Sequence, residues 1–149
     1  MRPTAWWVAA LLVALSAAGA KALAQQACSK ADFETVVNEA GAALRDLNRQ
    51  NTPTFQAKLR ELKDKRGWSN DQFLKEAEPY VRDQEIIAYD QKSEGLLNRI
   101  TGAGQQGSSA GTPDCALLAE LRAAMKELVE TQKAKWTHMF SRINGALAK

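Results

Sequence analysis

Two cysteines, Cys28 and Cys115, carry the clearest chemistry in this chain of 149 residues. Paired thiols can form a disulfide, bind a metal ion or act as nucleophiles, but this pair lacks the CxxC spacing and the clustered histidines of a metal site. In an oxidising compartment, two cysteines with no third candidate have only one possible connectivity. We therefore predict a disulfide between Cys28 and Cys115.

The single histidine, His138, is the one candidate for an imidazole base. It shares a helical face with Lys135, Ser141 and Arg142, a polar face turned away from the apolar residues of the same stretch. A catalytic triad or dyad would need partners that the spacing does not supply. We therefore predict that His138 is a solvated surface residue.

Other side chains that bind metals in proteins are also present. Met125 and Met139 could coordinate copper, but both lie on an apolar stripe, which favours packing in the core. Asp83, Asp90 and Glu94 share one side of a predicted helix, yet helical di-metal sites use Glu-x-x-His pairs, which this sequence lacks. We expect these acids to meet basic side chains or water. The sequence, which also lacks phosphate-loop and nucleophile-elbow motifs, predicts a non-enzymatic protein with no catalytic residues, metal or cofactor.

The N-terminal residues 1–24 have the organisation of an export signal. Arg2 gives a positive start, an apolar run from Ala5 to Ala18 follows, and Ala22-Leu23-Ala24 forms a small-x-small cleavage site. The run is shorter than the roughly 20 residues that span a bilayer. Cys28 could instead be the acylated cysteine of a lipoprotein, but Gln25 stands three positions before it, where such a site needs an apolar residue. We expect cleavage after Ala24 and a periplasmic location, with an extracellular one as the alternative.

The mature chain would have 149 minus 24, or 125, residues, enough for one domain with its own core. Removal of Arg2 and Lys21 lowers the formal charge from +3 to +1, and acids and bases are interspersed. This balance gives no electrostatic reason to bind nucleic acid or an anionic membrane. We expect a protein partner or self-association, and no stable membrane insertion after signal cleavage.

The stretch from Thr112 to Lys149 predicts the longest helix, because one set of mainly apolar side chains recurs in it at three- and four-residue steps. Thr112 and Pro113 would begin it. About 36 residues of helix correspond to roughly 54 Å, longer than any other predicted helix. The stripe consists of Leu118, Leu121, Met125, Leu128, Gln132, Trp136, Met139, Ile143 and Leu147.

Two helices are predicted in the first part of the mature chain. Ser29 would cap the start of the first, and Asp32 would interact favourably with the positive end of its dipole. A polar connection over residues 48–52 ends it, and Pro53, which suits the first turn of a helix, begins the second. Gly67 would end that second helix.

A short third helix is predicted from a capping box at Ser69, and it breaks near Pro79. A fourth runs from about Pro79 to Ile100, followed by a flexible Gly/Ser loop over residues 101–112. If the five helices alternate in direction, the first and last run the same way. Their cysteine-bearing N-termini would then be neighbours.

Two places are predicted to bind a partner through apolar side chains. The last helix exceeds the others, so its far end, around Phe140, Ile143 and Leu147, would lack cover within the monomer. Trp68 and Tyr80, near the break in the chain, would either line a groove between helices or cap the core.

We therefore predict an all-α protein, a disulfide-stapled bundle of four to five helices that follows a cleaved signal peptide, with residues 25–149 as one domain. The predicted function is that of an exported, non-enzymatic binding protein, chaperone-like in its use of exposed apolar surface. The alternative is a carrier of a small apolar ligand in an interhelical cavity lined by Tyr89, Met125 and Trp136.

Overall fold

The computed structural model describes residues 28–149, so the predicted signal peptide, residues 1–24, lies outside them. The all-α prediction is confirmed: these residues form four helices of seven residues or more and a single helical turn, with no strand among them. No helix in this part of the chain has both the length and the apolar character needed to cross a membrane. The helices are α1 (Lys30–Arg66), α2 (Asn70–Glu76), the single turn α3 (Glu78–Val81), α4 (Gln84–Ser109) and α5 (Cys115–Leu147).

The helix α1 is one continuous helix of 37 residues where the sequence predicted two. It begins at the predicted Ser29 cap, where Ser29 Oγ accepts the Asp32 N–H. The Asp32 carboxylate also accepts the Ser29 N–H, which completes a capping box. Pro53 lies inside α1 and begins no new helix, although a proline removes a backbone hydrogen bond. The helix continues because Phe55 and Leu62, beyond the proline, are both buried in the core. Packing therefore outweighs the local cost of the proline.

The chain turns after Gly67, which ends α1 with a φ angle of 65°. Glycine adopts this left-handed conformation without the steric cost of a Cβ. Ser69 then caps α2 in a capping box with Gln72, as predicted.

The helix α4 differs from the predicted fourth helix at both ends. It begins at Gln84, where the Asp83 carboxylate accepts the Ile86 N–H at 2.8 Å and caps the first turn. It continues through the glycine-rich segment to Ser109, so the connection to α5 is only residues 110–114. The prediction of a loop that starts at residue 101 is wrong, because glycines lower helix stability without forbidding a helix that packs on a neighbour.

The last helix, α5, packs against both α1 and α4. Lys92 of α4 pairs with Glu127 of α5 at 3.0 Å, and Asp90 of α4 pairs with Lys135 of α5 at 2.5 Å. The lower residue number on α4 thus pairs with the higher residue number on α5. The two helices are antiparallel.

The predicted disulfide is present and joins the N-termini of α1 and α5, with the Cα atoms of Cys28 and Cys115 5.4 Å apart. At the opposite end of the bundle, the Lys65 ammonium group donates to the Leu147 carbonyl oxygen at 2.5 Å. Because like ends meet at both places, α1 and α5 are parallel. The chain reverses its direction twice, once before α4 and once after it, and so makes α1 and α5 parallel. The prediction had reached the same parallel arrangement through five alternating helices.

Within residues 28–149, three clusters of buried side chains form the core. The helix α5 contributes to all of them, as the periodicity of its apolar stripe predicts. We call them the disulfide-end cluster (Val36, Ala40, Leu118, Leu121 and Met125), the middle cluster (Leu96, Ala124 and Leu128) and the far-end cluster (Phe55, Leu62, Ile86, Met139 and Ile143).

Candidate functional site

The five residues predicted to bind a partner lie together, but in and around the far-end cluster and not on an uncovered surface. Ile143 has no exposed area. Phe140, Leu147, Trp68 and Tyr80 are partly buried and pack against the same cluster. The prediction that the end of α5 lacks cover is wrong, because α1 does not stop at Pro53 and runs beside α5 along its whole length.

The three residues predicted to line a ligand cavity lie apart. Met125 belongs to the disulfide-end cluster, whereas Trp136 packs against the far-end cluster. The Tyr89 hydroxyl donates to the Glu85 carboxylate at 3.0 Å, and its ring lies beside that of His138. These residues therefore do not enclose one cavity, and that part of the prediction is wrong.

A different concave surface, which we call the α1–α4 groove, opens at the disulfide end of the bundle. Its volume is about 540 Å³, within the range of roughly 300 to 1,000 Å³ that small-ligand sites occupy. The helix α1 supplies one wall, α4 the other, and α5 the floor. The lining residues are Lys30, Phe33, Glu34, Val37, Asn38, Gly104, Gly107, Pro113 and Leu121.

The groove is apolar inside and polar along one lip. Phe33 and Val37 of α1 face Leu121 of α5, and Val37 remains 45% exposed despite being a large apolar residue. Apolar surface here is therefore open to solvent. The lip is formed by Lys30, Glu34 and Asn38, which follow one another along one side of α1 at four-residue steps.

Two glycines of α4 give the groove its shape. A Cβ at Gly107 would lie 3.1 Å from the Phe33 ring and 3.6 Å from Leu117, so the absence of a side chain lets that ring pack closely. A Cβ at Gly104 would meet no atom within 4 Å, so this position leaves open space. Sequence reasoning missed the groove because it assigned these glycines to a loop. Their three-residue spacing, which puts them on one face of a helix, was the available signal.

His138 is not the solvated residue that the sequence predicted. Its side chain is 18% exposed and lies between two carboxylates, with Nε2 2.7 Å from Asp83 Oδ2 and Nδ1 3.1 Å from Glu85 Oε2. The Nε2 contact is a hydrogen bond, and the Nδ1 contact places Glu85 within ion-pair distance. Arg142 also donates to Asp83. These contacts fix the N-terminus of α4 against α5.

The remaining acids of the predicted α4 face are not gathered into a metal site. Asp90 accepts a hydrogen bond from Lys135, as expected for an acid that meets a base across the surface. In residues 28–149 no group of three or more histidine, cysteine, aspartate or glutamate side chains is arranged to hold a metal ion.

The stability of the protein should depend on Asp83 in acid. Partial burial raises the pKa of this carboxyl group, but hydrogen bonds from His138, from the Ile86 N–H and from Arg142, with the charge of His138, outweigh it and lower the pKa from 3.8 to about 2. The folded protein thus binds this proton less readily than the unfolded chain. The stabilisation is complete above about pH 4 and is lost as the pH falls towards about 2.

We expect this contribution to be on the order of 1 kcal/mol. The check is urea unfolding of the wild type and of Asp83→Asn at about pH 5 and about pH 2.5. The wild type should lose more stability between the two pH values than the variant, which lacks the titrating group. Identical losses would show that Asp83 is not part of the acid response.

The chain matches no protein-family model, no curated protein and no solved structure.

Proposed function

We propose that this protein is an exported, non-enzymatic binding protein that holds apolar side chains of a protein partner in the α1–α4 groove. The observation that carries the proposal is the open apolar surface of that groove, where Val37 is 45% exposed beside Phe33 and Leu121. Open apolar surface in a concave site is typical of recognition. The disulfide supports export, because disulfides persist mainly in oxidising compartments.

The occupant that fits best is an amphipathic helix of the partner. The groove lies between two antiparallel helices and above a third, so a helix placed in it would complete a four-helix arrangement. Gly104 presents no side chain, which lets another backbone approach closely. Lys30 and Glu34 on the lip give charges of both signs, which can pair with charges flanking the apolar face of the incoming helix.

Filling the groove should abolish binding without loss of the fold. In Gly104→Leu the new side chain enters space that is empty in the wild type, since a Cβ there meets nothing within 4 Å. We expect the affinity for a groove ligand to fall by at least about tenfold, equivalent to about 1.4 kcal/mol. The measurement is capture of envelope proteins on the immobilised wild type and variant, with the affinity of the captured protein then determined by titration.

Gly95→Leu is the matched control, because Gly95 lies on the same helix and a Cβ there also meets nothing within 4 Å. It is nine residues from Gly104 and so on the opposite face of α4. A partner captured equally by the wild type and Gly95→Leu, but lost with Gly104→Leu, supports the proposal. Equal capture by all three proteins contradicts it. A dimer that only Gly104→Leu dissolves, seen by sedimentation, would instead make the occupant a second copy of this chain.

A carrier of a small apolar ligand is the second candidate, favoured by the volume of the groove, about 540 Å³. Such a volume suits a drug-sized or lipid-like molecule. Mass spectrometry of an organic extract separates the two functions. A carrier would release a bound small molecule from the purified wild type and from Gly95→Leu, and none from Gly104→Leu.

A further inference from the structure

The first turns of α1, which form one wall of the α1–α4 groove, have few attachments to the rest of the protein. No residue from position 28 to position 35 is fully buried, and Val36 is the first of α1 to enter the core. The side-chain hydrogen bonds of Ser29, Asp32 and Thr35 stay within the same segment. They stabilise the helix itself and do not attach it to α4 or α5.

In the described part of the chain, few interactions hold this segment to the rest of the bundle. The Phe33 ring is partly buried and packs against the disulfide-end cluster. The Asp32 carboxylate is attracted by the charge of Arg122 on α5. The Cys28–Cys115 bond is the covalent tether of the α1 wall, and the hydrogen bond from the Cys28 N–H to Cys115 Sγ, at 3.1 Å, depends on the position of the same sulfur atom.

The start of α5 is held independently of the disulfide. Asp114 accepts hydrogen bonds from the backbone N–H groups of Ala116 and Leu117 and so caps the helix. Leu117 and Leu118, in its first turn, are buried. Cleavage of the bond should therefore release the first turns of α1, before Val36, and leave the floor of the groove in place.

We propose that the α1–α4 groove is gated by redox state: it binds its ligand only while the Cys28–Cys115 bond is intact, and reduction releases the ligand. This rests on the proposed function, since it concerns the same groove. Without the tether, the residues from Lys30 to Glu34 fray as an unsupported helix end, and the wall that carries Phe33 is lost.

The reductant is a dithiol. One of its thiolates attacks a sulfur of the disulfide and forms a mixed disulfide as the other cysteine leaves as a thiolate. The second thiol of the reductant then displaces the first cysteine. In total two electrons and two protons pass to Cys28 and Cys115, which become thiols, while the reductant becomes a disulfide. Both cysteines are partly exposed, so a reductant can reach them.

The test uses the dye anilinonaphthalene sulfonate, whose fluorescence rises on apolar surfaces, as the groove probe. The groove-specific signal is the dye fluorescence of the oxidised protein that is lost when Gly104→Leu is introduced. The protein with Gly104 and the protein with Gly104→Leu both carry Gly95→Ala as well. This change raises helix stability at a position where a Cβ meets no other atom, and it helps both proteins stay folded on reduction. Dye binding is measured before and after treatment with a dithiol. Far-UV circular dichroism reports the fold, and so does the fluorescence of Trp68 and Trp136, which both pack against the far-end cluster.

We expect reduction to lower the groove-specific affinity by at least about tenfold, with the tryptophan fluorescence unchanged. The double variant Cys28→Ser/Cys115→Ser should bind as weakly as the reduced protein and should not respond to the dithiol. Unchanged groove-specific binding after reduction overturns the proposal, and so does global unfolding on reduction, because release would then not be local. If Gly104→Leu removes no signal from the oxidised protein, it is the proposed function that fails.

Discussion

Replacing Cys28 and Cys115 together with serine is expected to lower the free energy of unfolding by up to about 4 to 5 kcal/mol. The bond joins residues 87 positions apart, and a cross-link over so long a loop removes much of the conformational entropy of the unfolded chain. Urea unfolding of the oxidised wild type and the double variant measures the difference.

Reduction of the wild type is the control for this prediction. A dithiol should move the wild-type unfolding curve to that of Cys28→Ser/Cys115→Ser and should leave the variant unchanged. If the oxidised wild type and the double variant unfold at the same urea concentration, the bond does not stabilise the fold.

Ile143→Asp is expected to unfold the protein or to cost more than about 4 kcal/mol of stability. Ile143 has no exposed area and packs in the far-end cluster with Phe55, Leu62 and Met139. The substitution removes buried methyl groups and places a carboxylate where it has no partner, so the loss of packing and the cost of desolvation add. Circular dichroism and thermal unfolding report the outcome.

The matched control is Leu74→Asp, because Leu74 of α2 is 74% exposed. A change at such a surface position should alter stability by no more than about 0.5 kcal/mol. A different outcome would contradict this prediction: an Ile143→Asp protein that keeps wild-type stability but loses a binding partner. That outcome would support the sequence-based prediction of an apolar binding surface at the end of α5.

Much of the architecture could be predicted because its signals are local or covalent. The stripe of α5 has helical periodicity over its whole length, and Ser29 and Ser69 carry capping boxes that act within four residues. The disulfide followed from the count of cysteines and the expected compartment. None of these inferences needs knowledge of which helices are neighbours.

The errors arose where packing between helices overrides local preference. Pro53 weakens a helix locally, but buried Phe55 keeps α1 continuous. The glycines of residues 101–109 favour a loop, yet this segment lies against Phe33 and Leu117 as a helix. Each error hid a functional consequence, because continuous α1 buries the predicted binding surface and extended α4 builds the groove.

The surroundings of His138 could not be predicted for a similar reason. Its own helix puts basic and hydroxyl side chains beside it, and these favour a solvated position. Its actual partners, Asp83 and Glu85, lie at the start of α4, some 55 residues away in sequence. Only the antiparallel register of α4 on α5, and the delayed start of α4 at Gln84, bring these carboxylates to the imidazole.

The participation of α5 in all three core clusters constrains when the protein can fold. Helix α5 follows α1 and α4 in the chain, and α1 and α4 each bury their apolar faces mainly against it. A growing chain that lacks residues 115–147 therefore has no complete core, and native tertiary structure must wait until those residues have been synthesised.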